Sequence, residues 1–173
     1  MGRFLFPDEY YDSTYSIDFK KYYDMGYRGV LFDIDNTLVE HNAMADERSI
    51  KLINELKNIG FGICFVSNNK KQRVADFNAD MHVRYVFKAD KPSAKGYLKA
   101  MKRLNTNKEN TIFVGDQLFT DIWGANNAHI HSILVKQIAR HEEIQIILKR
   151  ILEKPIIWLY TRKHKMKKKS SGN

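Results

Sequence analysis

Short runs of β-branched and aromatic residues alternate along this chain with longer stretches in which apolar positions return every three to four residues. The runs predict strands over 29–33, 61–66, 84–87, 111–114 and 130–135. Most are continuously apolar, as expected of strands buried on both faces of a parallel sheet. Between the first two, Ile50, Ile53, Leu56 and Lys57, with Leu52 and Ile59 beside them, repeat at helical spacing behind a candidate N-cap at Asp46, which predicts a helix over 47–58. Similar patterns cover 71–78, 93–104, 118–128 and 141–152. A βαβα order of this kind predicts an α/β fold, a three-layer α/β/α sandwich on a parallel sheet of about five strands with right-handed connections. No internal repeat and no Pro-rich or Gly/Ser-rich linker interrupts it, so residues 1–160 are expected to form one domain.

Charge changes the picture at one end. The chain has 173 residues, 29 Lys plus Arg against 20 Asp plus Glu, a net charge of +9 and 43% hydrophobic residues. Residues 1–143 hold 20 basic and 19 acidic side chains, whereas 144–173 hold nine basic and one acidic. Six Lys or Arg fall between Arg162 and Lys169 with no acid among them, followed by Ser170, Ser171, Gly172 and Asn173, so 161–173 reads as a disordered basic tail. No apolar run approaches the ~18 residues of a membrane-spanning helix, and the first ten residues lack the apolar stretch of a secretory signal. Phe6 stands where an N-myristoylation signal needs Ser or Thr. The single cysteine, Cys64, excludes an internal disulfide and a Cys-based zinc site, and its strand pattern suits a small core residue. The expected location is the cytoplasm.

An open parallel sheet puts its ligand site beyond the carboxyl ends of its strands. Those positions read Asp33-Ile34-Asp35-Asn36-Thr37-Leu38, Ser67-Asn68-Asn69, Lys88-Ala89-Asp90-Lys91-Pro92 and Gly115-Asp116-Gln117-Leu118-Phe119-Thr120-Asp121. Four loops thus bring two pairs of carboxylates, a hydroxyl, amides and a lysine to one edge, ahead of helix N-termini whose free N–H groups favour anions. Oxygen ligands without Cys or His at metal spacing select a hard cation, Mg²⁺, with Asp33 and Asp116 as candidate ligands. A carboxylate attacking a phosphate ester needs positive charge at the transferring group, which Mg²⁺ and Lys91 supply. Asp35 can protonate the leaving oxygen and then help deprotonate the water that cleaves the aspartyl phosphate. His129 and His131 alternate on a strand with no carboxylate or Cys spacing to join them, which argues for packing or surface roles. His141-Glu142-Glu143-Ile144-Gln145 begins like a zinc-protease helix, but Gln145 replaces the required second His. The aromatic residues Phe4, Phe6, Tyr10, Tyr11 and Tyr15 suit either a lipid-facing rim or packing under the sheet.

The four loops, in this order and strand context, resemble the four motifs of the haloacid dehalogenase superfamily of phosphohydrolases. The resemblance implies a Rossmann-like core with Asp33 as nucleophile and metal ligand, and with Asp35 as acid/base and metal ligand through its backbone carbonyl. It further implies that Ser67 and Asn68 bind phosphoryl oxygens, that Lys91 holds the phosphoryl charge and that Thr37 supports the first loop. Asp116 would ligate Mg²⁺, and Asp121 would bind the ion or orient its water shell. Only 29 residues separate Thr37 from Ser67 and 23 separate Ser67 from Lys91, which leaves no room for either of the superfamily's cap insertions.

Phe6-Pro7-Asp8-Glu9-Tyr10, 27–39 and 114–127 carry a closer resemblance to the subfamily IIIA branch called the YqeG family, similar to mitochondrial phosphatidylglycerophosphate phosphatases. It implies release of the terminal phosphate from phosphatidylglycerophosphate. Ile144, Ile147, Leu148, Ile151 and Leu152 form an apolar face ahead of Pro155 and Ile156-Ile157-Trp158-Leu159-Tyr160, which suits docking at a lipid interface. Each basic residue near an anionic membrane adds roughly 1 kcal/mol, less where salt screens it. The same segment also suits a last helix over the sheet followed by a solvated tail. Two other functions stay open on the sequence: a phosphatase of soluble or nucleic-acid phosphate esters whose tail steers polyanions, and a non-catalytic adaptor for RNA or membrane.

Overall fold

A computed structural model of the chain describes residues 5–139. The predicted helix over 141–152, the apolar stretch at 156–160, the basic tail 161–173 and Phe4 lie outside the described residues.

Six strands form a single parallel sheet in the order β1-β6-β5-β2-β3-β4. They are β1 (Glu9–Tyr11), β2 (Gly29–Phe32), β3 (Gly62–Val66), β4 (Arg84–Val86), β5 (Thr111–Gly115) and β6 (His131–Val135). Five of them match the predicted strands. The additional β1 pairs with β6 at one edge, with Tyr10 opposite Leu134. Three residues with no β-branched side chain carry too little pattern to announce a strand. Polar contacts pin it instead: Asp8 N–H donates to the Ser132 carbonyl (2.9 Å), Lys136 N–H donates to the Tyr11 carbonyl (3.1 Å), and His131 Nε2 lies 3.0 Å from Glu9 Oε1.

The three-layer arrangement follows from the alternation of side chains along each strand. Val30, Phe32, Ile63, Phe65, Ile112 and Val114 face a core shared with α1 (Phe19–Asp24), α2 (Glu47–Ile59) and α3 (Lys71–Phe77). Leu31, Cys64, Val66 and Phe113 face the opposite core, closed by α4 (Lys95–Leu104) and α5 (Trp123–Asn127). Cys64 is a fully buried core residue, and burial pushes its thiol up to about 12. The Asp46 carboxylate accepts from Ser49 N–H (2.7 Å) while Ser49 Oγ accepts from Asp46 N–H (3.0 Å), a reciprocal cap that starts α2.

Of the N-terminal aromatic residues, Tyr11 and Tyr15 pack against the first core, whereas Phe6 and Tyr10 are exposed. The helix expected over 118–128 is divided into a π-helical turn (Leu118–Ile122) and α5. The cause is Asp121, whose Oδ2 accepts from the N–H groups of Asp116 and Gln117 (3.1 Å each) and ties the turn back to the strand end. Gly115 makes this possible, because a Cβ there would come within 2.6 Å of that oxygen.

Candidate active site

Because every strand runs the same way, all six carboxyl ends meet at one edge, and the first loop starts there with Asp33. Its turn is closed by Leu38 N–H donating to the Ile34 carbonyl (2.9 Å). This returns Thr37 Oγ1 to within 3.4 Å of Asp33 Oδ2 and 3.1 Å of Asp116 Oδ1. Thr14 Oγ1 and Tyr15 OH brace the loop from outside by donating to the carbonyls of Thr37 (2.7 Å) and Leu38 (2.6 Å).

Lys91 is the centre of the charge arrangement. Its Nζ lies 2.6 Å from Asp33 Oδ1 and 2.6 Å from Asp121 Oδ1, and it is 8% exposed. Asn68 holds the lysine's backbone from both sides, donating Nδ2 to the Lys91 carbonyl (3.1 Å) and accepting Lys91 N–H at Oδ1 (2.8 Å). Helix α4 approaches this loop closely at Gly96, where a Cβ would come within 2.7 Å of the Ala89 carbonyl. Ser67 is buried, its Oγ accepts from Asn69 N–H (3.1 Å), and its carbonyl accepts from Ala89 N–H (3.0 Å). Tyr97 OH donates to the Asp121 carbonyl (3.0 Å), fixing the backbone of the fourth loop.

Asp33, Asp116 and Asp121 are all buried, and each offers a carboxylate oxygen within 4.8 Å of the others. Among the described residues, three carboxylates against one ammonium leave an excess of negative charge in a site of low exposure, which is costly unless protons or a cation neutralise it. Burial, reinforced by Asp121 and Asp35, pushes the Asp33 carboxyl up to about 7 despite the pull of Lys91. Burial, with Asp121 and Asp33, pushes Asp116 up to about 8 against the Gln137 hydrogen bond and Lys91. For Lys91, burial pulls the other way, but Asp121 and Asp33 outweigh it and hold the ammonium well above its usual range. A dense, oxygen-only cluster with excess negative charge fits a hard divalent cation such as Mg²⁺.

The Asp35 carboxylate is not in that cluster. Its Oδ1 accepts from Asn42 N–H (2.7 Å) and Arg73 Nη2 (2.8 Å), and its Oδ2 accepts from Asn69 Nδ2 (2.6 Å). Its expected share in metal binding therefore rests on the backbone carbonyl, not the side chain. Sequence reasoning missed Asn42, Asn69 and Arg73. Asn69 stands in the second loop and had a positional signal, whereas Arg73 looks like any cation on the first turns of a helix.

Comparison with known proteins agrees with the geometry. The family model of haloacid dehalogenase-like hydrolases matches residues 44–129, which include Ser67, Lys91, Asp116 and Asp121 but not the first loop. The chain is 33% identical over 164 residues to the protein named "Probable phosphatase YqeG" of Bacillus subtilis, covering 94% of this chain and 95% of that one. It is 30% identical over 95 residues to the glyceraldehyde 3-phosphate phosphatase of Pyrococcus abyssi, covering 50% of this chain and 40% of the relative. Among solved structures, a haloacid dehalogenase-like hydrolase from Bacteroides fragilis superposes with a TM-score of 0.56 at 17% identity, covering 69% of this chain and 93% of that one. NagD from Escherichia coli K-12 does so with a TM-score of 0.54 at 14% identity, covering 68% and 91%. At those identities the structures speak for the fold alone.

Proposed function

The chain belongs to the haloacid dehalogenase-like hydrolases and is a phosphatase, and from that premise we propose that it is Mg²⁺-dependent and converts phosphatidylglycerophosphate to phosphatidylglycerol at the cytoplasmic face of an anionic membrane. The observation that carries the chemistry is the buried cluster of Asp33, Asp116 and Asp121 around Lys91, at an edge with no cap insertion among the described residues.

Asp33 is the nucleophile. Lys91 holds Oδ1 of its carboxylate and Thr37 approaches Oδ2, so the group is oriented before substrate arrives. An Asp33 oxygen bonds to phosphorus as the ester oxygen departs, and Asp35 supplies the proton that departing oxygen takes up. Asp35 then accepts a proton from the water that attacks the aspartyl phosphate, releasing inorganic phosphate and restoring both aspartates. Three donors take three of the about four lone-pair positions of the Asp35 carboxylate, two on Oδ1 and one on Oδ2, so one position on Oδ2 is left for the proton. Lys91 balances charge on the transferring phosphoryl group throughout. Mg²⁺, held by Asp33, Asp116 and Asp121, would supply the further positive charge that lets an anionic nucleophile meet an anionic ester. Ser67 and Asn68, on the second loop, would bind phosphoryl oxygens.

The lipid assignment is supported by the open edge, by the resemblance of 114–127 to phosphatidylglycerophosphate phosphatases and by the basic, apolar-interrupted sequence of 144–169. Similarity to a relative named for glyceraldehyde 3-phosphate favours a soluble ester instead. Phosphate release by wild type and Asp33→Asn, from phosphatidylglycerophosphate in mixed micelles with Mg²⁺ and from a panel of soluble esters, separates the two. Selective Asp33-dependent turnover of the lipid is expected. Turnover of soluble esters alone removes the lipid assignment but keeps the chemistry, and silence on the whole panel moves the weight to a substrate outside the panel or to an adaptor role.

A further inference from the structure

Both oxygens of the Asp116 carboxylate are held, one by a residue of the first loop and one by a residue that no motif includes. Thr37 Oγ1 donates to Oδ1 at 3.1 Å, and Gln137 Nε2 donates to Oδ2 at 2.9 Å. Gln137 lies two residues beyond β6, in a fifth loop at the same edge. Its backbone is fixed on either side: Lys136 N–H donates to the Tyr11 carbonyl and Ile138 N–H donates to the Asn36 carbonyl, each at 3.1 Å. Asn36 belongs to the first loop, is 1% exposed and has φ 63°, with its own N–H donating to the Val39 carbonyl at 2.7 Å. The short strap 136–138 therefore spans from the edge strand to the loop that carries Asp33 and Asp35, with the Gln137 side chain directed onto Asp116.

We propose that Gln137 is a positioning residue that presents the Asp116 carboxylate to a divalent cation, and this rests on the reading of Asp33, Asp116 and Asp121 as a Mg²⁺ site. Three features of the contact favour that role. A carboxylate offers about four lone-pair positions, so one hydrogen bond at each oxygen fixes the orientation and leaves acceptor capacity for a metal. Gln137 is neutral: a lysine or arginine there would compete with the cation, and a glutamate would add a further anion to three already clustered. The donor comes from a strap anchored to another part of the site, so the Asp116 orientation is tied to the position of the first loop. Outer partners of metal-binding carboxylates commonly contribute 10- to 100-fold in metal affinity.

The test is a MgCl₂ titration of the full chain, wild type and Gln137→Met, read two ways: by the Mg²⁺-induced rise in Tm and by hydrolysis of p-nitrophenyl phosphate. Methionine keeps the length and removes the donor. The expected result is a half-saturating Mg²⁺ concentration raised about 10- to 100-fold in both readouts, with kcat at saturating Mg²⁺ within about threefold of wild type. A merely structural role would lower Tm equally with and without Mg²⁺ and leave half-saturation unchanged, and that outcome overturns the proposal. A second variant, Gln137→Leu, also removes the donor without adding charge, and it too should raise the half-saturating Mg²⁺ concentration. Absence of any Mg²⁺ effect on wild-type Tm and activity would overturn the metal-site reading beneath the proposal, a result distinguishable from wild type and Gln137→Met behaving alike.

Discussion

Asp33 and Asp35 leave the same strand two residues apart and are buried to nearly the same degree, 7% and 8% exposed. Their surroundings are otherwise opposite. Among the described residues, Asp33 shares its space with two more carboxylates and a single ammonium, so burial and like charge act together on it. Asp35 faces a backbone N–H, an amide and a guanidinium, every one of them a donor. With exposure equal, the partners decide: one pocket is built to be neutralised by protons or a cation, and the other holds its carboxylate with donors alone. The Asp33 surroundings therefore suit a carboxylate whose charge a metal balances, and the Asp35 surroundings orient a carboxylate without one.

The most severe way to break the comparison is Lys91→Met. Asp33 and Asp121 then lose the one cation among the described residues that touches both. Turnover of p-nitrophenyl phosphate is expected to fall about 10³-fold, since a donor aimed at transition-state charge is removed. Breaking a buried ion pair from one side costs about 3–5 kcal/mol, which urea unfolding in EDTA reads directly. Activity within tenfold of wild type would mean that Lys91 does not serve the phosphoryl group.

The Asp35 side of the comparison is sharpened by a pair of variants. Asp35→Asn is expected to lower kcat about 10²- to 10⁴-fold and to let phosphorylated Asp33 accumulate, detectable by intact-mass measurement after acid quench. Arg73→Met removes only one of three donors to Asp35, since Asn42 and Asn69 remain. A loss of about tenfold is expected, the scale of one hydrogen bond to a charged group. Equal losses for the two variants would show that Arg73 is indispensable to Asp35, and no loss for Arg73→Met would show that the amides suffice.

How much of this was legible in the sequence follows the same divide. Asp33, Lys91, Asp116 and Asp121 each sit at or just past a parallel strand, so finding the strands locates them, and the structure joins them within hydrogen-bonding or carboxylate-cluster distance. What holds Asp35 was not legible, because Asn42 lies in an irregular loop and Arg73 meets Asp35 only once α3 has packed. Strand β1 stayed hidden for a related reason: Glu9 and Tyr11 are placed by side-chain hydrogen bonds to distant His131 and Tyr22, not by a hydrophobic run. The π-helical turn at 118–122 likewise answers to the Asp121 carboxylate, which local helical periodicity does not register.

The smallest effect is the most specific to the Asp33 side. Asp33 and Asp116 have carboxyl groups raised from an ordinary value of 3.8 to about 7 and about 8, so the folded protein binds their protons more tightly than the unfolded chain. Their contribution to stability is whole below about pH 4 and is lost as pH rises through about 7 and about 8. In EDTA, Tm should therefore fall as pH rises from about 6 to about 8.5. Mg²⁺ replaces the protons, so the Tm gain it produces should grow over the same interval, because a cation binds the deprotonated carboxylates. Asp116→Asn removes one of the two titrating groups and should flatten the EDTA slope, whereas Arg73→Met, on the Asp35 side, should leave it unchanged. A slope that survives Asp116→Asn intact would assign the pH dependence to groups outside the cluster and erase the contrast between the two aspartates that share the first loop.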